Sequence, residues 1–442
     1  MNNPISSLTA TSPLAEWLYY LENSHFKAID LGLERVKSVA AHLNLLTPAP
    51  FVITVGGTNG KGTTCRLLEM MLMNAGYKVG VYSSPHLIRY NERVRIQNQE
   101  LADNIHTQSF AFIEQNKTQS LTYFEFSTLS ALHLFKQAKL DIVILEVGLG
   151  GRLDATNMVD SHIAVITSID IDHVDFLGSD REQIGFEKAG IFRANKAAII
   201  GESNIPQKVL NHANSLACQT SCRDIDWFFT ADSHCWNWTG QKMQFENLPI
   251  CQIPLANAAT ALATIEQLPF TISEAVIRQS LQDVELTGRF QTVKHIDLQQ
   301  LAKHINKAVE VLPRVIIDVG HNPHAANYLA EKLTTLKQQG CGKIFAVCGI
   351  LKDKDTQGIF NPLLTLIDHW YCVTLTGYRG QRGEELFVTL QQIAQAQAMA
   401  LSAESQPSVE HGVTHALQQA SQKDTVLVFG SFYTVGEFLQ LL

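Results

Sequence analysis

Val55-Gly56-Gly57-Thr58-Asn59-Gly60-Lys61-Gly62-Thr63-Thr64 is the stretch that decides the fold. Five apolar or β-branched residues, 51–55, lead into it as a strand, and 63–74 leave it as a helix with Leu67, Leu68, Met71 and Leu72 on one face. Glycines let the backbone turn so that successive N–H groups converge on phosphate oxygens, and the helix N-terminus adds partial positive charge. Lys61 can reach the outer phosphates of a nucleotide, and Thr63 or Thr64 can offer a hydroxyl to a metal ion. The spacing departs from G-x-x-x-x-G-K-[ST], because Gly62 stands between lysine and threonine. The strand–loop–helix setting still makes a plain glycine turn a poor explanation.

Outward from this loop, short apolar runs alternate with helical patterns. The runs are 79–82, 142–147, 163–167 and 197–200, then 315–319, 344–347, 370–375 and 425–429. That rhythm predicts an α/β fold with parallel sheets covered by helices. A P-loop-containing N-terminal domain over 1–290 is expected, followed by a smaller Rossmann-like α/β domain over 314–442. Between them, over 291–313, Leu301, Ile305, Ala308 and Leu312 recur at helical spacing and predict one amphipathic junction helix. Residues 224–252, with Trp227, Trp236 and Trp238, read as a small irregular or β-rich insertion.

Composition narrows the partners. In 442 residues with a net charge of −8, no lysine/arginine tract supplies the positive surface that a phosphate backbone needs, so no nucleic-acid partner is expected. No apolar run reaches the length of a membrane helix, and the first residues carry no basic region followed by an apolar core. A cytoplasmic location, with no membrane partner, is the expectation. The eight cysteines are scattered, and Cys218, Cys222, His234 and Cys235 fit no standard zinc spacing.

A phosphate loop alone leaves switches, motors, kinases and ligases open. The run 142–147 narrows the field by delivering Glu146 at its end, followed by Gly148-Leu149-Gly150-Gly151. Ligands of open α/β sheets gather at the carboxyl ends of strands, where a carboxylate holds magnesium. Ser83 ends the 79–82 strand at the same edge and offers a hydroxyl.

Further motifs complete a pattern: Ser83-Ser84-Pro85-His86-Leu87, Thr122-Tyr123-Phe124-Glu125-Phe126, and Glu146 through Asn157. After these come Asp172-His173, Glu187-Lys188-Ala189-Gly190-Ile191, Leu286-Thr287-Gly288-Arg289-Phe290 and Asp318-Val319-Gly320-His321-Asn322-Pro323. In this order they resemble the folylpolyglutamate synthase family, specifically its bifunctional dihydrofolate synthase/folylpolyglutamate synthase members, within the Mur ligase superfamily. The resemblance implies an ATP-dependent acid–amino-acid ligase. It would join L-glutamate to dihydropteroate and to reduced folates through an acyl phosphate, acting as a monomer.

The resemblance also implies residue roles. ATP would be held by Gly57, Thr58, Asn59, Gly60, Lys61, Gly62, Thr63, Asn257, Arg289 and Asp318, the last two reaching it from the junction and the second domain. Magnesium would be held by Thr63, Ser83, Glu146 and His173. Lys61, Lys188 and His321 would be catalytic, with Lys188 carried as a carbamate, and potassium is a further candidate cofactor. The pterin would lie against Thr122, Phe124, Arg152, Asp154 and Ala155, with the early stretch Ile29-Asp30-Leu31-Gly32-Leu33-Glu34-Arg35 beside it. The chain departs from the family in a longer segment over 295–312 and in Gly320 before His321. A Mur-type cell-wall ligase and a P-loop switch are the rival readings. The first needs a whole nucleotide-sugar domain before the loop, and the second lacks its [NT]-K-x-D motif here.

Overall fold

A computed structural model describes residues 8–25, 30 and 32–442. The expected pocket residues Ile29 and Leu31 lie outside the described residues. The chain forms two compact units, Met1–Val284 and Glu285–Leu442.

The first unit is built on eight strands: β1 (Phe51–Gly56), β2 (Val79–Tyr82), β3 (Val94–Ile96), β4 (Gln99–Glu100), β5 (Ile142–Glu146), β6 (Ile163–Ile166), β7 (Ala197–Ile200) and β8 (Gln219–Cys222). Their order is β4-β3-β2-β5-β1-β6-β7-β8, parallel from β2 to β8, with β3 and β4 antiparallel. Alternation along the strands separates two cores. Ile53, Val55, Ile142 and Ile144 face one side, while Val52, Val143 and Leu145 face the other. Because β1 lies between β5 and β6, the loops after β1 and β6 flank one crevice at the carboxyl edge.

The tryptophan-bearing segment is part of the core. It forms an antiparallel sheet of β9 (Phe228–Ala231), β10 (Cys235–Thr239) and β11 (Gln244–Pro249). Trp227, Trp236 and Trp238 are each fully buried against the helices Lys61–Asn74 and Leu255–Glu266. Trp238 Nε1 donates to the Ala259 carbonyl at 3.1 Å, and the Glu266 carboxylate accepts from the backbone N–H groups of Lys242 and Met243. The cysteines named above stay apart: Cys218 Sγ donates to the Arg193 carbonyl, and Cys235 Sγ to Asn247.

The second unit carries β12 (Gln291–Thr292), β13 (Arg314–Asp318), β14 (Ile344–Cys348), β15 (His369–Val373), β16 (Ala403–Gln406) and β17 (Thr425–Phe429). Their order is β12-β13-β17-β14-β15-β16, parallel except for β12. In place of one junction helix the chain makes β12, two short 3-10 turns and the short helix Gln299–His304. Asn306 stops that helix by entering the left-handed region at φ 55°. Lys307 then turns its ammonium onto the carbonyls of Leu417, Gln418 and Ala420, where the helix Val409–Gln419 ends. Leu301, Ile305 and Leu312 remain buried, so the apolar spacing served the core without a continuous helix.

Trp238→Ala should destabilise the first unit by about 3–5 kcal/mol, chiefly from the cavity it leaves. The check is the lowest thermal unfolding transition, which should fall by several degrees; a shift of a degree or less would make the insertion an ornament.

Candidate active site

The glycine loop is held from outside by the chain that leaves β6. Thr167 Oγ1 donates to the Asn59 carbonyl at 2.6 Å, and Asn59 N donates to Ser168 Oγ at 3.0 Å. Thr58 N donates to the Ser168 carbonyl at 2.8 Å, and Thr58 Oγ1 donates to the Asp170 carbonyl. A Cβ on Gly57 would collide with Thr167 Oγ1. Sequence reading passed over Thr167 and Ser168. Their place after the strand next to β1 was the available signal.

Gly60 enters the helix Lys61–Asn74 at φ 86°, and no side chain caps that helix. Such an uncapped N-terminus, following backbone that only glycine adopts easily, fits an anion supplied by a ligand. Lys61 Nζ donates to the carbonyls of Gly57 and Thr58, so its ammonium lies over the loop. Asn257, near the start of the Leu255–Glu266 helix, donates to Thr63 Oγ1 at 2.8 Å and packs against Gly60. Its contacts in the protein therefore bear on the phosphate loop.

Glu146 ends β5, buried, and accepts from Ser84 N at 3.3 Å. Ser83 Oγ accepts from Arg95, whose guanidinium is fixed by the fully buried Glu69. Thr63, Ser83 and Glu146 are hard oxygen donors, which suits magnesium held by one or two carboxylates with water and phosphate completing its shell. Among the described residues no three His, Cys, Asp or Glu side chains gather as a metal cage. His173 sits at φ 53° at the start of the Val174–Leu177 turn, beside Asp172.

Lys188, on the helix Arg181–Ala189, is buried. Burial first, then the neighbouring charge of Lys61, lowers its pKa to about 7, with Asp172 opposing. The carbonyls of Glu187 and Lys188 crowd Gly151 so closely that no Cβ fits there. Arg152 is half exposed and paired with Glu187 at 2.9 Å.

Two of the expected pterin residues, Phe124 and Asp154, lie against Gly148. Phe124 leaves no room for a Cβ on Gly148 and stands 6.0 Å from the Tyr82 ring. Asp154 is buried beside it and accepts from Gly148 N, Leu149 N, Thr156 N and Thr156 Oγ1, with Ala155 following. Those four donors fill its lone pairs, so Asp154 shapes the loop. Thr122 and Glu125 form a reciprocal cap at the start of the helix Tyr123–Ala138. Arg35 ties Glu125 at 2.6 Å to Asp30, which brings the early stretch to this wall.

In the second unit, Asp318 ends β13 and accepts from Phe290 N and Gly320 N. Burial raises its pKa, and the Arg289 charge opposes that rise. The Arg289 guanidinium lies 5.6 Å from the Phe432 ring, and the His321 ring 6.1 Å from it. Phe432 is a third residue that sequence reading missed; no motif marks it.

Residues 55–263 match the Mur ligase middle domain and 288–432 the Mur ligase glutamate ligase domain. A dihydrofolate synthase/folylpolyglutamate synthase of Haemophilus influenzae is 65% identical over 99% of both chains. That of Escherichia coli is 50% identical over 98% of this chain and 96% of its own. The chain belongs to the dihydrofolate synthase/folylpolyglutamate synthase family. The fold agrees: Escherichia coli FolC in complex with DHPP and ADP superposes with a TM-score of 0.90, covering 98% of this chain and 99% of that one at 50% identity. A bifunctional folylpolyglutamate synthase/dihydrofolate synthase with Mn, AMPPNP and L-glutamate bound gives 0.86 at the same identity, over 98% of each chain.

Gly60→Ala should abolish nucleotide binding, because its Cβ would meet the Asn257 side chain at a backbone angle that L residues avoid. Fluorescent ATP-analogue titration would read the loss, and wild-type affinity in the folded variant would contradict the loop's assignment.

Proposed function

We infer that this chain is an ATP-dependent ligase that joins L-glutamate to dihydropteroate, forming dihydrofolate, and to reduced folates, forming folylpolyglutamates. The observation that carries the reading is an uncapped phosphate loop with Glu146 and Ser83 at neighbouring strand ends, in a chain matching named synthases along nearly its whole length. Neither a cell-wall ligase nor a P-loop switch gains an observation of its own.

A carboxylate is a poor electrophile, so it first takes the γ-phosphoryl group of ATP. The loop amides of residues 57–62 and Lys61 spread the charge of that transfer. Thr63, Ser83, Glu146 and His173 would hold magnesium, which supplies Lewis-acid neutralisation of the phosphates when bound. The pterin is oriented by Thr122, Phe124 and the Asp154–Ala155 corner, with Arg152 at the rim. The glutamate amine then attacks the acyl phosphate, forming the amide and releasing phosphate. For Arg289, Asp318 and His321, the assignment to the nucleotide and to catalysis rests on the family resemblance. Potassium and a monomeric state also remain proposals on that footing. Among the described residues no helix is long and apolar enough to cross a membrane.

Lys188 is proposed to carry a carbamate. Its amine is half deprotonated near pH 7, so its lone pair can attack carbon dioxide, losing a proton and leaving an anion. Intact-mass and ¹³C-bicarbonate labelling should find one carbamate that is lost in Lys188→Ala, with activity lost alongside it; a fully active, unlabelled wild type would refute it. For the reaction itself, protein with ATP, magnesium, L-glutamate and 7,8-dihydropteroate should yield dihydrofolate by mass, with ADP release dependent on glutamate. Turnover on reduced folates alone would remove the dihydrofolate half of the reading.

A further inference from the structure

Arg93 is a buried cation that makes no ion pair with a carboxylate among the described residues. It ends the turn Tyr90–Arg93 and is 9% exposed. Its guanidinium lies 6.0 Å from the Tyr90 ring centroid and 5.4 Å from that of Tyr123. Its Nε donates to His86 Nδ1 at 2.8 Å, and His86, held far below its usual pKa by burial, is neutral. The acid next in sequence is engaged elsewhere, since Glu92 accepts from the backbone N–H groups of Leu87, Ile88 and Arg89. Other poorly exposed arginines of this unit are ion-paired: Arg95 and Arg66 share Glu69, and Arg35 pairs with Glu125. A desolvated charge is costly unless paired, so a buried guanidinium without a carboxylate is a place for an anion from outside.

Its position says which anion. The Arg93 carbonyl accepts from Ser83 N at 2.9 Å, so this residue is backbone-paired to an expected metal ligand. On its other side Tyr123 stands between Thr122 and Phe124 of the expected pterin wall. Building on the functional reading above, we propose that Arg93 binds the carboxylate of the pterin-bearing substrate, with its planar fork donating to both oxygens between the tyrosine faces.

The test is equilibrium binding of 7,8-dihydropteroate against its neutral carboxamide, with AMPPNP affinity measured in parallel. Wild type should prefer the carboxylate by about tenfold or more, the scale of a charge-assisted hydrogen bond. Arg93→Met should lose the preference and Arg93→Lys keep part of it, both binding AMPPNP within about twofold of wild type. An Arg93→Met protein that still discriminates, or that weakens AMPPNP alone, would overturn the proposal. Should that variant not fold, the wild type decides. A ¹³C-carboxyl label on bound dihydropteroate should titrate below its free pKa, and an unchanged pKa would also overturn it. Wild type that binds neither ligand would count against the function proposed above, and this inference would fall with it.

Discussion

A phosphate loop must be bare backbone, and bare backbone cannot hold its own shape. Side chains that would stiffen it would also fill the space the phosphates need. Here the stiffness is borrowed. Thr167 and Ser168 fasten the loop from the end of β6, and Asn257 fastens Gly60 and Thr63 from another helix. The strand order makes this possible, because β1 has β6 on one side and β5, bearing Glu146, on the other. The tryptophan sheet belongs to the same support, since Trp238 is hydrogen-bonded to the helix that carries Asn257.

The second organising feature is the treatment of buried charge. Lys188 is held toward neutrality by its burial and by the neighbouring charge of Lys61. Glu69 pairs with two arginines and thereby fixes the one that touches Ser83. Asp154 remains a buried acid by accepting four hydrogen bonds, spending its polarity on the shape of the Gly148 loop. Each group is either satisfied within the fold or left for a substrate, and these choices outline the site.

Much of this was legible in the sequence. The nine apolar runs became the central strands of two parallel sheets, because strands buried on both faces must be continuously apolar. The phosphate loop, Glu146 and Ser83 were legible because strand ends in such sheets have fixed functional geometry. The edge strands were not. Gln219–Cys222 and Ala403–Gln406 are polar and short, as exposed edges tend to be. The junction helix failed for another reason: Leu301, Ile305 and Leu312 keep helical spacing, yet Asn306 and Lys307 break the helix to reach a neighbouring helix end. Thr167, Ser168 and Phe432 were missed because their work depends on partners far away in sequence.

All of these arrangements serve one chemical event, the transfer of a phosphoryl group onto a carboxylate oxygen. The most direct measurement uses dihydropteroate labelled with ¹⁸O in its carboxyl group, incubated with the protein, ATP, magnesium and L-glutamate, followed by mass analysis of the inorganic phosphate. An acyl phosphate cleaved by the glutamate amine leaves one labelled oxygen in each phosphate released. Phosphate without the label, alongside normal dihydrofolate formation, would contradict the mechanism.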